Sequence, residues 1–255
     1  MKVVTFNVNG IRARLHSVSD LLHMEEPDVL CLQEIKCEND LFPYDLFSGY
    51  HCYVHGQKAY NGVAICSRAE GVPVHIMEEV ESRTMGTAIG DILFVNVYAP
   101  HGDLRGTSKF FQKIQWYKSF SKRMEELLEK YPKALIVGDF NVAFEDKDVW
   151  DPILLKDTVG TLPEEREALN ALLEVGFIDV FRALYPEKVQ FTWWDYRQGR
   201  VWKNQGLRID YVLCSEPLLA SVSNVYVVEE IRKRRDLKPS DHAPVVCVMS
   251  YDTGY

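Results

Sequence analysis

Short apolar runs rich in β-branched residues recur from one end of the chain to the other, and they constrain its fold more than any other feature. They read as strands over 3–6, 29–33, 51–55, 62–66, 92–98, 134–137, 189–194, 209–214, 222–228 and 244–249. Helical spacing appears between them. Ile11, Leu15, Val18, Leu21 and Leu22 make one face after Gly10. Phe110, Ile114, Tyr117, Phe120, Met124, Leu127 and Leu128 make a longer one. Leu169, Leu172, Leu173 and Phe177 follow Pro163, with Glu164 and Glu165 suited to a first helical turn. Many strands with fewer, interspersed helices predict sheets covered by helices. No linker or low-complexity segment interrupts the pattern, so one domain over 1–255 is expected. Two segments echo each other, VVTFNVNG and LIVGDFNVA, each an apolar strand ending in Phe-Asn-Val. The echo is compatible with a fold of two similar halves.

Of the 255 residues, 47% are hydrophobic, which is ample for a core, and 26% are charged, which is ordinary for a soluble protein. No stretch approaches the ~20 apolar residues of a spanning helix. The apolar run at the N-terminus is too short for a signal-peptide core, and Asn7 and Asn9 interrupt it. A cytoplasmic protein with no membrane partner is expected. The six cysteines include no Cys-x-x-Cys pair and mostly sit in strand-like runs, which predicts reduced core thiols rather than zinc ligands. The net charge of −8 counts against nucleic acid as a partner. A metal site, however, concentrates carboxylates that its ion then neutralises.

Polar, metal-competent residues recur where predicted strands end, which is where rigid scaffolds present functional side chains. Asn7 and Glu34 end early strands, Tyr98 ends ILFVNVY, and Asp139 and Asn141 follow ALIVG. Asp210 opens IDYVLC, and Asp241 and His242 precede PVVCVM. Each has an ordinary reading. Asn7 or Asp241 can cap a helix, Asp139 can serve a turn, Asp210 can pair with Arg208, and Tyr98 or His242 can simply pack. As a set they fit better with chemistry. Glu34, Asp241 and the Asn7 amide offer the oxygen donors that a hard cation such as Mg2+ takes. Asp210 beside His242 supports a charged imidazole. Asp139 with Asn141 can orient and deprotonate water. These are the parts of metal-assisted phosphate ester hydrolysis.

The blocks FNVNGIRAR at 6–14, PDVLCLQEIK at 27–36, GQKAYNGVAI at 56–65, NVYAPHG at 96–102 and GDFNVA at 138–143 resemble the exonuclease III family of abasic-site endonucleases. That family lies within the endonuclease/exonuclease/phosphatase superfamily. So do LPEEREAL at 162–169, FTWWDYR at 191–197, GLRIDYVL at 206–213 and KPSDHAPV at 238–245. GDFN and SDH mark only the broad superfamily; LQEIK, TWWDYR, GLRID and PSDHAPV in that order are much narrower. The resemblance implies an α/β (α+β) fold of deoxyribonuclease I type. That is a four-layered sandwich, two packed mixed β-sheets flanked by helices, with the site at one end. It also implies an AP endonuclease that hydrolyses the phosphodiester 5′ to an abasic site and leaves a 3′ hydroxyl. Exonuclease and 3′-end-cleaning activities would accompany it. The cofactor would be Mg2+, with Mn2+ a substitute. The partner would be double-stranded DNA containing abasic sites. The protein would be a monomer, associated with the nucleoid if prokaryotic.

By the same resemblance Glu34 would be the main metal ligand, with Asn7 and Asp241 close by. Asp139 would deprotonate water and Asn141 would hold water or phosphate. His242, polarised by Asp210, would contact the scissile phosphate, and Tyr98 would steady the leaving oxygen. Trp193 and Leu207 would wall a pocket for the baseless sugar, while Asn9, Arg12, Lys36, Tyr60 and His101 would contact DNA. His101 stands where Gln or Asn is expected, and Leu207 where some relatives carry Trp; the loop after Tyr98 is short. The basic run at 231–238 enters the SDH loop and is read either as a solvated face or as a phosphate contact. Two rivals remain: another phosphodiesterase of the superfamily, acting on RNA or phospholipid, and a non-catalytic module that binds damaged DNA.

Overall fold

In the computed structural model, which describes residues 1–78, 80–236 and 238–251, the apolar runs pair into two six-stranded sheets. The first takes β1 (Lys2–Asn7), β2 (Val29–Gln33), β3 (His51–His55) and β4 (Val63–Ser67) from the start of the chain. The second takes β5 (Val72–Val74), β6 (Thr84–Ile89), β7 (Ile92–Tyr98), β8 (Ala134–Asp139), β9 (Phe177–Asp179) and β10 (Asp210–Ser215). β11 (Val222–Val227) and β12 (Val245–Met249) return to the first sheet. The orders are β11-β12-β1-β2-β4-β3 and β5-β6-β7-β8-β10-β9. Each sheet holds one parallel pair, β1 with β2 and β7 with β8, and is antiparallel elsewhere.

Alternation along each strand decides which layer a side chain joins. Val3, Val29 and Ile65 of one sheet face Phe94, Leu135 and Val137 of the other in the central core. Their strand neighbours Val4, Leu30 and Ala64 turn outward to Val18 and Leu21 of α1 (Leu15–Glu25). On the opposite face Leu93, Val95 and Ile136 pack on α2 (Ser108–Lys130) and α3 (Pro163–Glu174). Four layers result, helix, sheet, sheet, helix. Near one end the central core turns polar. Gln33 Nε2 donates to Thr5 Oγ1 (2.9 Å) and Asn96 Oδ1 (2.7 Å), and Asn96 Nδ2 donates to the carbonyls of Leu32 and Ala64, both at 2.8 Å. These bonds stitch the two sheets together beneath the strand ends.

The expected strand over 189–194 does not form. Trp193 makes isolated bridges to Leu207 and His242 instead, because this segment crosses the end of the sandwich rather than joining a sheet. β5, β6 and β9 escaped the sequence pattern because β5 and β9 are short and β6 is broken by Gly86, whose missing side chain leaves room for Ile76. Cys52 and Cys66 are also not reduced thiols. They are register partners on β3 and β4 and are joined by a disulfide. Hairpin register brought together two cysteines whose sequence spacing gave no sign of pairing. Cys31, Cys37, Cys214 and Cys247 are free and buried. Among the described residues no helix is long and apolar enough to cross a membrane.

Candidate active site

The ends of β1, β2, β7, β8 and β10 converge at one edge of the sandwich, and the backbone there is unusually contorted. Asn9, Glu34, Lys36 and Asn141 all adopt positive φ, a conformation that costs a non-glycine residue free energy and persists where surrounding bonds over-determine it. Backbone bonds from Val8 to Gln33, Gly10 to Glu34 and Ile11 to Ile35 hold the two loops side by side. Gly138, just before Asp139, is the position where glycine is required: a Cβ there would lie 1.9 Å from the Val97 carbonyl. Only then can β7 and β8 approach closely enough to set Tyr98 beside Asp139.

Asn7 is fully buried and sits at the centre of the cluster. Its Nδ2 donates to Glu34 Oε1 (2.9 Å) and to Asp139 Oδ2 (2.8 Å). Its Oδ1 accepts from the Asn9 backbone N–H (3.0 Å), which fixes the amide orientation because that partner can only donate. Asn7 therefore turns nitrogen, not oxygen, toward the carboxylates. The expected ligand role for its oxygen would require the side chain to turn over. Lys36 Nζ lies 2.8 Å from Glu34 Oε2 and donates to Asn9 Oδ1 at 2.6 Å.

His242 is buried between two carboxylates. Its Nδ1 lies 2.9 Å from Asp210 Oδ2, and its Nε2 lies 3.6 Å from Asp139 Oδ2. Burial disfavours the imidazolium, but Asp210 and Asp139 outweigh it and push His242 up to about 10. Burial raises Asp139 to about 7, with His242 and the Asn7 amide opposing the rise and Asp210 and Glu34 adding to it. Asp210 does not pair with Arg208; that guanidinium donates to Asp148 and forms an ion pair with Asp179 in a separate buried network. Burial, Glu34 and Asp139 raise the Tyr98 phenol far above its ordinary value, and the Arg83 guanidinium lies over its ring.

Asp241 accepts from Trp193 Nε1 (2.9 Å) and Asn9 Nδ2 (3.0 Å). Burial would raise it, yet His242, Trp193 and Asn9 together hold it below the ordinary carboxylate value. The donor atoms of Glu34, Asp139 and His242 lie within 4.8 Å of one another, close enough to hold a metal ion. Within that group the carboxylates of Glu34 and Asp139 fit a hard divalent cation, whereas His242, held protonated by its two acidic neighbours, supplies charge rather than a lone pair. Asp241 faces the same cavity from beside this group.

The cluster opens on a cavity of about 270 Å³ lined by Glu34, Tyr98, Asp139, Asn141, Asp241 and His242 on its polar side, with Trp193, Leu207 and Ile209 on its apolar side. Trp194, by contrast, is fully buried. His101 lines this cavity and also a larger one of about 680 Å³, which Tyr60 lines too. Arg12 is exposed on the turn after β1. Much of the basic run is spent within the protein. Arg232 donates to the carbonyls of Trp194 and Asp241, Lys233 pairs with Glu229, and Arg234 pairs with Asp20 and Asp236. Arg235 stacks on Trp202, and Lys238 is exposed. Leu237 lies outside the described residues.

Sequence reading passed over Lys113 and took Glu165 only as a first-turn acid, yet the two form a wholly buried ion pair at 2.7 Å. Lys113 also donates to the carbonyls of His101 (3.1 Å) and Asn141 (2.8 Å), and Glu165 accepts from the backbone of Gly160 (2.6 Å). The pair thus ties three cavity-lining loops to α2 and α3. One signal was present: Lys113 falls on the apolar face of α2 with Phe110, Tyr117, Phe120 and Met124.

The sequence pattern of the Endonuclease/Exonuclease/phosphatase family matches residues 4–242. Exodeoxyribonuclease III of Haemophilus influenzae is 35% identical, over 96% of this chain and 98% of that protein. The structure of an AP endonuclease from Archaeoglobus fulgidus superposes with a TM-score of 0.94 at 36% identity, covering 98% of this chain and 100% of that one. A 3′ phosphatase from Neisseria, solved bound to product DNA hairpin, superposes with a TM-score of 0.95 at 34% identity, with the same coverage.

Proposed function

Because this chain belongs to the Endonuclease/Exonuclease/phosphatase family, and within it to the exonuclease III type of nuclease, we propose that it hydrolyses the DNA phosphodiester 5′ to an abasic site. The cut leaves a 3′ hydroxyl. The same centre trims 3′ ends, a reading supported by the likeness to the Neisseria 3′ phosphatase. It acts as a monomer on duplex DNA, in the cytoplasm or on a nucleoid. The observation that carries the reading is the arrangement of the 270 Å³ cavity: Asp139 and charged His242 face each other across its polar end, and Trp193, Leu207 and Ile209 close the other.

Each side chain has a task in this scheme. Asp139 takes the proton of the attacking water, and the Asn7 amide aims its carboxylate. His242, kept cationic by Asp210, neutralises charge that develops on the phosphate oxygens. Asn141 holds water or phosphate, with its Nδ2 anchored on the Ala99 carbonyl. Tyr98 steadies the leaving oxygen. Glu34, beside Asp139 and Asp241, would hold Mg2+, replaceable by Mn2+, and the bound ion would supply Lewis-acid stabilisation of the phosphate. The small apolar end accepts a sugar without its base, and extruding such a sugar breaks no base pair. Asn9, Arg12, Lys36, Tyr60 and His101 contact the flanking strand.

The test is strand cleavage of a duplex oligonucleotide carrying one stable abasic analogue, in Mg2+ and in EDTA. A single cut 5′ to the analogue, lost in EDTA and in Asp139→Asn and His242→Asn, is expected. No cut by folded, metal-loaded protein would reject the abasic-site reading and direct attention to RNA and phospholipid substrates. Tight binding of the analogue without cutting would favour a non-catalytic module.

A further inference from the structure

The buried pair of Lys113 and Glu165 is not needed to hold its two helices together. Tyr117, Phe120 and Met124 of α2 already share an apolar core with Leu169 and Leu172 of α3. A buried ion pair adds little net stability, because desolvating two charges offsets most of their attraction. The bonds of Lys113 point to another purpose. An ammonium has three N–H donors, and here each finds an acceptor. One is Glu165 Oε1 (2.7 Å); the others are the carbonyls of Asn141 (2.8 Å) and His101 (3.1 Å), two residues that line the 270 Å³ cavity.

Asn141 is held most closely. Its φ is +52°, a left-handed conformation that Asn tolerates better than most residues. Its backbone N–H donates to Asp139 Oδ1 and its Nδ2 to the Ala99 carbonyl, both at 2.9 Å. Its carbonyl, the remaining backbone group, is held by Lys113. The turn at Gly102 wraps the lysine so tightly that a Cβ there would lie 2.8 Å from Lys113 Cδ. Glu165 Oε2 accepts from Gly160 N (2.6 Å) and Leu162 N (3.2 Å), so the partner of Lys113 anchors a further loop of the cavity.

We infer that Lys113 is a positioning residue for the reaction: its ammonium, seated on Glu165, locks the Asn141 carbonyl and so sets where the Asn141 side chain stands beside Asp139. The inference rests on the role proposed for Asn141 and names what enforces it. Without the ammonium the Asn141 carbonyl is left in the interior with no donor. The left-handed turn then loses the bond that offsets its backbone strain. The side chain drifts from the water or phosphate it holds, and a misplacement of that kind lowers turnover more than binding.

The test compares wild type with a Lys113→Met/Glu165→Gln double variant. Both charges go together, so neither is left buried alone, and the introduced amide can still accept from Gly160 and Leu162. Amide hydrogen exchange over 139–143 should quicken about tenfold or more, while exchange in β1 and β10 stays as in wild type. On a duplex with an abasic site kcat should fall on the order of 10²-fold, with KM changed less than about threefold. In an Asn141→Ala background the same double change should cost little further, because both act through one side chain. Full additivity, a loss confined to KM, or lowered thermal stability with kcat and exchange unchanged would overturn the inference. Should the double variant not fold, Lys113→Arg, which keeps a cation but alters its reach, goes through the same cycle with the same expected signs. The exchange readout needs no substrate. An absence of cutting by wild type would therefore count against the abasic-site reading alone, and unchanged exchange would still overturn the role of Lys113.

Discussion

The two sheets follow one plan and are put to different uses. Read in order, β11-β12-β1-β2-β4-β3 matches β5-β6-β7-β8-β10-β9 position for position, with the parallel pair in the same place. The first sheet and the connection into β12 bring Asn7, Asn9, Glu34, Asp241 and His242. The second brings Tyr98, Asp139, Asn141 and Asp210. The decisive contacts cross between them: Asn7 to Asp139, His242 to Asp210 and His242 to Asp139. The scaffold is duplicated but its side chains are not, and the proposed reaction centre is the seam between the halves.

Breaking the seam at Asp139 should have the largest effect. Asp139→Asn should lower the cleavage rate by roughly 10³-fold or more while abasic duplex binding, read by gel shift, persists. A parallel loss of binding would mean that Asp139 holds the halves together rather than acting on water. Next comes the contact behind it. Asp210→Asn and His242→Asn should each cost on the order of 10²-fold, and the double variant little more than the worse single one. Fully additive losses would show that the pair does not act as a unit.

The pH–rate profile sharpens the same point. In the proposed mechanism Asp139 works without its proton and His242 with one. Activity should rise as pH passes the raised Asp139 value, about 7, and fall as His242 deprotonates near 10. Asp210→Asn removes the anion that favours the imidazolium, so the alkaline limb should move down in pH. An unmoved limb would assign it to another group.

Two milder changes separate structure from chemistry. Asn96 bonds across the seam but stays out of the cavity, so Asn96→Leu should cost about 1–3 kcal/mol of stability in chemical denaturation. Turnover per folded molecule should barely change. Tyr60, 70% exposed at the rim, should matter least: Tyr60→Ala should weaken duplex binding only a few-fold, by less than about 1 kcal/mol. A large fall in kcat would move Tyr60 from rim to centre.

The strand ends were legible because period-2 apolar runs that stop at an acid or amide are visible in one dimension. The two-sheet sandwich and the family were legible through the ordered blocks from LQEIK to PSDHAPV. The Phe-Asn-Val echo agrees with two similar halves but does not mark equivalent places. It closes β1 and follows β8, whereas the repeated plan matches β1 with β7 and β2 with β8, so it is not the trace of the duplication. The basic run was open to two readings, a solvated face or a phosphate contact, and the structure commits Arg232 and Arg234 to internal partners.

What the sequence determined by itself was the supply: which side chains stand at strand ends, and which faces of strands and helices must be buried. Local periodicity is enough for that. The tertiary structure alone decided the pairings. Nothing local shows that Asn7 presents its nitrogen to Asp139 or that Lys113 is buried against Glu165 beneath the His101 loop. Nor does anything local show that Cys52 faces Cys66. Those contacts depend on register, on amide orientation and on the angle at which two sheets meet. Each of these is fixed by the summed packing of residues distant in sequence.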